Sequence, residues 1–241
     1  MVTMGGESAK ARAGEVLERL RAQGSPESRE GMARYGIRTD RAFGVSLYVL
    51  RDIAKELGTD HELAIALWET GNHEARILAG IIDDPAEVTE GQLDRWVAGF
   101  DSWDVCDQCC SNLFDRTPFA YAKAFEWADD GREFVRRSGF VMMAALAVHD
   151  KEAGDEAFEQ FFPVIVLYSG DDRNFVRKAV NWALRNIGKR NLALNRRAIE
   201  VAREVQATGA RSARWIAADA LRELQGEKVQ QRLAKKAGKT K

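Results

Sequence analysis

Trp103 and Asp107 stand four positions apart, so on a helix an indole and a carboxylate share one face, a single turn from each other. That pairing suits stabilisation of a cation, because an indole face attracts positive charge and a carboxylate attracts it more strongly. Asp107 lies among Trp103, Cys106, Cys110 and Leu113 on largely apolar helix, where a carboxylate needs a partner or else serves as a site. Asp104 falls in the first turn, where the helix dipole already favours a negative charge. Farther along, Lys178 and Trp182 are again one turn apart, with Arg177 and Arg185 on the same segment, and Arg136 and Arg137 open an earlier helix. If Trp103, Asp107, an arginine and Trp182 converge across successive helix pairs, two indoles and a carboxylate with phosphate-holding arginines beside them form a site for cationic sugar chemistry on a nucleic acid. The alternative is structural: each tryptophan is a core residue and Asp107 is paired with an arginine.

Other chemistries find less support. His61, His73 and His149 are scattered without metal-ligand spacing. Cys106, Cys109 and Cys110 cluster on one segment, but no second Cys or His pair completes four ligands, and they read as small core residues. No phosphate-cradling glycine loop, nucleophile elbow or dinucleotide fingerprint occurs. Neither a metal nor a cofactor is expected. Three crowded cysteines make a poor disulfide framework and fit a reducing cytoplasm. Residues 1–7 lack the run of a secretory signal, and no stretch approaches the roughly 18 apolar residues of a membrane helix. A soluble, cytoplasmic chain with no membrane partner is expected, associated with the nucleoid when bound to DNA.

The elements that position these residues read as helices almost throughout. A helix from about Glu7 to Gln23 ends at Gly24-Ser25-Pro26; Asp60 caps one bearing Leu63, Ala64, Leu67 and Trp68, stopped by Gly71-Asn72. Ala75 to Ile82 is closed by Asp83-Asp84-Pro85, Thr89 caps a helix with Leu93, Trp96 and Val97, and Ser102 caps the one carrying Trp103. Phe161 to Tyr168 reads as a buried helix, and no alternating strand pattern is present.

There is also an internal repeat. Phe134-Val135-Arg136-Arg137 recurs 41 positions later as Phe175-Val176-Arg177-Lys178, and Arg214-Trp215-Ile216-Ala217 echoes the continuation a further 37 on. Periods near 40 in a helical chain suggest HEAT-like helix pairs, which stack into a solenoid with an extended concave face. Charge is unevenly spread along it. Residues 1–170 hold 18 Lys+Arg against 30 Asp+Glu, a charge of −12, whereas residues 171–241 hold 18 against 7, or +11. A basic end of this kind is expected where phosphate is neutralised and counterions are released.

In order and spacing these segments resemble the AlkD-like family of DNA alkylation-repair proteins, HEAT-like-repeat DNA glycosylases, from about Met32 to Glu223. The resemblance is carried by Met32-Ala33-Arg34-Tyr35, Gly36-Ile37-Arg38-Thr39, the Trp103 to Asp107 segment, Phe134-Val135-Arg136-Arg137 and the run from Lys178 to Arg185. It implies that Asp107 is the catalytic aspartate, with Trp103 and Trp182 beside the lesion's sugar. It likewise implies that Arg137 contacts the DNA backbone and that Tyr35 lines the cleft; Lys178 and Arg185, on the repeat helix of the basic third that also carries Trp182, are expected to hold the DNA. The implied reaction is hydrolysis of the N-glycosidic bond of 3- and 7-alkylated purines, such as 3-methyladenine and 7-methylguanine, leaving an abasic site.

The expectation is therefore an all-α, right-handed solenoid of roughly six HEAT-like helix pairs with duplex DNA in its concave face. It forms one domain over 1–226, followed by a basic, disordered tail over 227–241. The chain would act as a monomer and a monofunctional alkylpurine DNA glycosylase, with no lysine Schiff base and no nicking of its product. Two rivals remain: a non-catalytic binder of DNA structures, and a HEAT-like protein-interaction scaffold whose basic end is incidental.

Overall fold

The structure is a computed structural model that describes residues 4–239. It is all-helical, with no strand among the described residues. No helix among them is long and apolar enough to cross a membrane. The helices gather into two compact units, residues 1–117 and 118–241.

The first unit contains α1 (Met4–Ala22), α2 (Pro26–Arg34), α3 (Leu47–Leu57), α4 (His61–Glu69), α5 (His73–Ile82), α6 (Glu90–Ala98) and α7 (Trp103–Asn112), closed by a short 3-10 turn at Phe114–Arg116. Side chains that accept the otherwise orphaned N–H three residues on set most of the starts: Ser25, Ser46, Asp60, Asn72 and Thr89. Helix α5 thus begins two residues earlier than its apolar pattern suggested, because Asn72 caps the next helix as well as following the last. Packing runs α1 on α4, α4 on α5, and α5 on both α3 and α7. The indoles of Trp68 and Trp96 stack at 4.2 Å with Phe100 beside them. Both tryptophans are structural.

The second unit contains α8 (Ala120–Asp129), α9 (Glu133–His149), α10 (Glu156–Glu159), α11 (Phe162–Tyr168), α12 (Asn174–Gly188), α13 (Leu192–Ala207), α14 (Arg211–Leu224) and α15 (Glu227–Lys239). The repeat read in the sequence is physical. Helix α9 packs on α12 and α12 on α14, and the equivalent rings of Phe134 and Phe175 meet at 5.6 Å. Asp171 locks the same junction: it accepts from Arg136 at 2.8 Å and from Arg173 at 2.6 Å. Burial alone would raise its carboxyl, but the two guanidiniums outweigh this and hold it at about 2.

Two expectations are corrected. Helix α11 is buried on one side only, with Phe162 and Ile165 inside while Leu167 faces solvent. The tail read as disordered is helical over Glu227–Lys239, while Thr240 and Lys241 lie outside the described residues. Val229 and Leu233, one turn apart, are buried, and Gln230 donates to Asn195 and to the Leu224 carbonyl, docking α15 on α13 and α14. Two apolar residues on one face suffice to dock this helix, and composition hides them among lysines and glutamines.

Backbones approach closely where glycine permits it. A Cβ on Gly139 of α9 would stand 2.3 Å from the Ala128 nitrogen and 2.8 Å from the Ala124 carbonyl of α8. Gly139→Ala is therefore expected to lower unfolding free energy by about 1–3 kcal/mol, the usual cost of overpacking. Gly131→Ala, which meets nothing within 4 Å, should change it by less than about 0.5 kcal/mol. Urea unfolding of both variants checks the contrast.

Candidate functional site

The first two side chains of α5 organise the region around Trp103. Glu74 is fully buried, and its carboxylate accepts the consecutive amides of Phe43 at 3.0 Å, Gly44 at 2.7 Å and Val45 at 3.2 Å. Successive amides turned toward one anion form a nest, and such charge-assisted bonds offset the desolvation of the carboxylate. Gly44 adopts φ 84°, and a Cβ there would stand 2.2 Å from the Ser25 carbonyl, so the nest requires glycine. His73, 5 % exposed, turns the other way and meets Asp104 of α7, Nε2 to Oδ2 at 2.9 Å. Burial lowers the His73 pKa, but the hydrogen bond and charge of Asp104, with Glu74 and Asp101 behind it, prevail and leave it raised.

Helix α7 is then fixed from its own N-terminus. Ser102 occupies the cap position but makes no capping bond; its hydroxyl accepts from the Arg38 amide at 3.1 Å. Asp104 bonds the Val105 amide at 3.0 Å as well as His73, so its role exceeds the dipole interaction read from sequence. Trp103 donates its indole N–H to the Tyr35 carbonyl at 3.1 Å. The half-buried indole is thereby held against a cavity of about 560 Å³, lined also by Tyr35, Met32, Leu50, His73 and Gln108. Asp107 follows one turn later at 9 % exposure. Along the same helix Cys106, Cys109 and Cys110 are buried, and a Cβ on Gly80 of α5 would touch the Cys109 sulfur at 2.9 Å. Burial pushes the Cys109 and Cys110 thiols well up, so both remain protonated core residues.

The second unit carries the remaining residues singled out in the sequence. Lys178 and Trp182 share one face of α12, the lysine exposed and the indole half-buried. Arg137 on α9 is 5 % exposed and donates to the Phe175 carbonyl at 2.6 Å, at the start of α12. Arg185 is held by two carboxylates of α14, Glu223 and, at 3.4 Å, Asp219. Asn181 donates to the same Asp219 at 2.7 Å. The structure thus turns Arg185 toward α14 and leaves Lys178 facing solvent. Trp215, which the sequence marks only as part of the repeat, is half exposed beneath the Arg177 guanidinium at 5.0 Å. The sequence reading passed over the His73–Asp104 pair and the Glu74 nest, whose sole local signal was a histidine and a glutamate directly after a capping asparagine.

Comparison with known proteins agrees with this architecture. The fold is shared with a solved protein described as one of "a new family of proteins related to the HEAT-like repeat DNA glycosylases with affinity for branched DNA structures". The TM-score is 0.71 at 24% identity, over 79% of this chain and 81% of that one. The fold is thus that of the HEAT-like-repeat class. The model of the DNA alkylation repair enzyme family matches residues 16–224, and the chain belongs to that family. A search of the curated proteins finds no match.

The His73–Asp104 pair yields a pH-dependent stability. A histidine whose pKa is raised on folding contributes fully below its unfolded value of about 6.5, and the contribution fades as pH rises through the folded value. Asp104→Asn is expected to cost about 2 kcal/mol at pH 6, the worth of a hydrogen bond to a charged group. That difference should shrink toward pH 8.5. Urea unfolding at the two pH values checks it, and a constant difference would dismiss a charged imidazolium.

Proposed function

We propose that this chain is a DNA glycosylase that hydrolyses the N-glycosidic bond of cationic N3- or N7-alkylated purines and leaves an abasic site. The observation that carries the reading is the face of α7, where a fixed indole and a buried carboxylate lie one turn apart in a chain of the DNA alkylation repair family. An alkylated purine already bears positive charge and departs as a neutral base, so its departure requires no general acid. The demand falls on the deoxyribose, which becomes oxocarbenium-like as the bond breaks. In this mechanism Asp107 stabilises that cation and orients the attacking water, and the indole face of Trp103 adds to the field. The hydrogen bond from Trp103 to Tyr35 orients the ring beforehand, which is where preorganised electrostatic catalysis gains its advantage. Lys178 is an exposed cation for a phosphate, with Trp182 one turn away, while Arg137 acts from its buried position on α9 against the start of α12.

A second reading is binding without hydrolysis, in particular of branched DNA. It is favoured by the similarity to a protein with that affinity. One assay separates the two: release of 7-methylguanine and 3-methyladenine from methylated duplex by wild type beside Asp107→Asn. Wild type is expected to release base, and the isosteric variant to be slower by about a hundredfold to a thousandfold, the cost of one preorganised electrostatic partner. Equal release by both, or none by wild type, overturns the catalytic reading. Retained affinity for DNA that falls steeply with salt would then leave the binding reading standing.

A further inference from the structure

The second unit holds a basic pocket that the proposed chemistry does not use. It encloses about 480 Å³ where the ends of α9 and α12 meet α15. Its lining presents Lys151, Lys189, Arg190, Arg232 and Lys236 with the amide of Asn186, and no carboxylate. Several of these cations cap helix ends. Lys151 donates to the Val148 carbonyl, Arg190 to those of Ala147 at 2.9 Å and Asp150 at 2.7 Å, and Lys236 to that of Arg190 at 2.8 Å. Capping alone does not account for so many. Two helix C-termini together carry roughly one negative charge. Three flanking carboxylates are all shared: Glu223 binds Arg185 as well as Lys189, Asp150 accepts the Tyr121 hydroxyl at 2.9 Å while lying near Arg190, and Asp155, also near Arg190, accepts from Asn191 at 2.6 Å. Counting all three in full still leaves an excess of about one positive charge over the helix ends. Burial, then the charges of Lys236 and Arg190, lowers the Lys151 pKa, as expected of cations held close together.

The pocket is also distant from the face already discussed. Lys178 and Lys189 are eleven residues apart. On α12 that is about 16 Å along the axis, farther than the width of a major groove. We propose that this pocket is a second phosphodiester-binding site, which takes the backbone of a nucleic-acid arm other than the one held at Lys178 and Trp182. The inference rests on the DNA-acting reading above. Its ligand chemistry is the phosphate anion, and the geometry of several donors around one cavity favours a backbone passing through over a single charged contact.

The test uses the whole chain and two double variants. Lys151→Glu with Arg232→Glu reverses charge; Lys151→Gln with Arg232→Gln removes it and guards against misfolding, which thermal melting of each variant monitors. Binding to a labelled linear duplex and to a four-way junction with the same arm sequence is read by fluorescence anisotropy across a salt series. The expected result is a loss of junction affinity of about tenfold or more on charge reversal, with less than about twofold on linear duplex. The neutral pair should reduce the salt slope on the junction by about two. Unchanged junction affinity, or equal loss on both substrates, overturns the proposal and leaves the duplex reading intact. Wild type that binds neither substrate overturns both. Inorganic phosphate is expected to raise the melting temperature of wild type more than that of the neutral pair, alongside the junction defect. A shift confined to wild type, without a junction defect, would make the pocket a small-anion site and overturn the proposal.

Discussion

A carboxylate taken out of water is costly unless several donors meet it, and Glu74 is met by three consecutive amides. That requirement shapes the first unit. The amides can converge only if the chain turns at Gly44 in a left-handed conformation, and the turn delivers Ser46 to cap α3. Because Glu74 sits in the first turn of α5, the helix dipole adds to the same attraction. The neighbouring His73 then grips Asp104, so one helix start sets both a loop and the helix that bears Trp103 and Asp107. Removing the carboxylate would orphan three amides at once, whereas an exposed glutamate at the same place would contribute little.

Much of this was legible beforehand, and the part that was not has a common cause. Caps at Asp60 and Thr89 follow from one residue type at one position, so they could be read locally. The recurrence of Phe134 as Phe175 gave the α9–α12 stack because equal positions in a repeat meet equal neighbours. The spacing of Trp103 and Asp107 placed an indole and a carboxylate on one helix face. Ser102, by contrast, had every local mark of a cap, yet its hydroxyl serves Arg38, sixty-four residues away in sequence. Arg185 looked like a phosphate ligand until α14 brought Glu223 and Asp219 to it. Long-range partners decide which polar groups are spent on structure, and composition carries no record of them.

The acidic and basic portions of the chain divide their duties accordingly. In the second unit most guanidiniums are consumed by carboxylates or carbonyls: Arg136 and Arg173 by Asp171, Arg185 by Asp219 and Glu223, Arg137 by Phe175. The surplus of positive charge is therefore narrower than the count of basic residues suggests. It falls to exposed lysines such as Lys178 and to the end of α12 near α15. In the first unit the acidic residues around Trp103 are similarly engaged, Asp104 with His73 and Asp101 near Arg38 and Arg76.

The buried cysteines of α7 have a consequence of their own. Methylating electrophiles attack thiolates far faster than thiols. With Cys109 packed against Gly80, and Cys109 and Cys110 both buried and protonated, these sulfurs are neither nucleophilic nor reachable. Protonation and burial thus shield both sulfurs from electrophiles, on the same helix that holds Asp107.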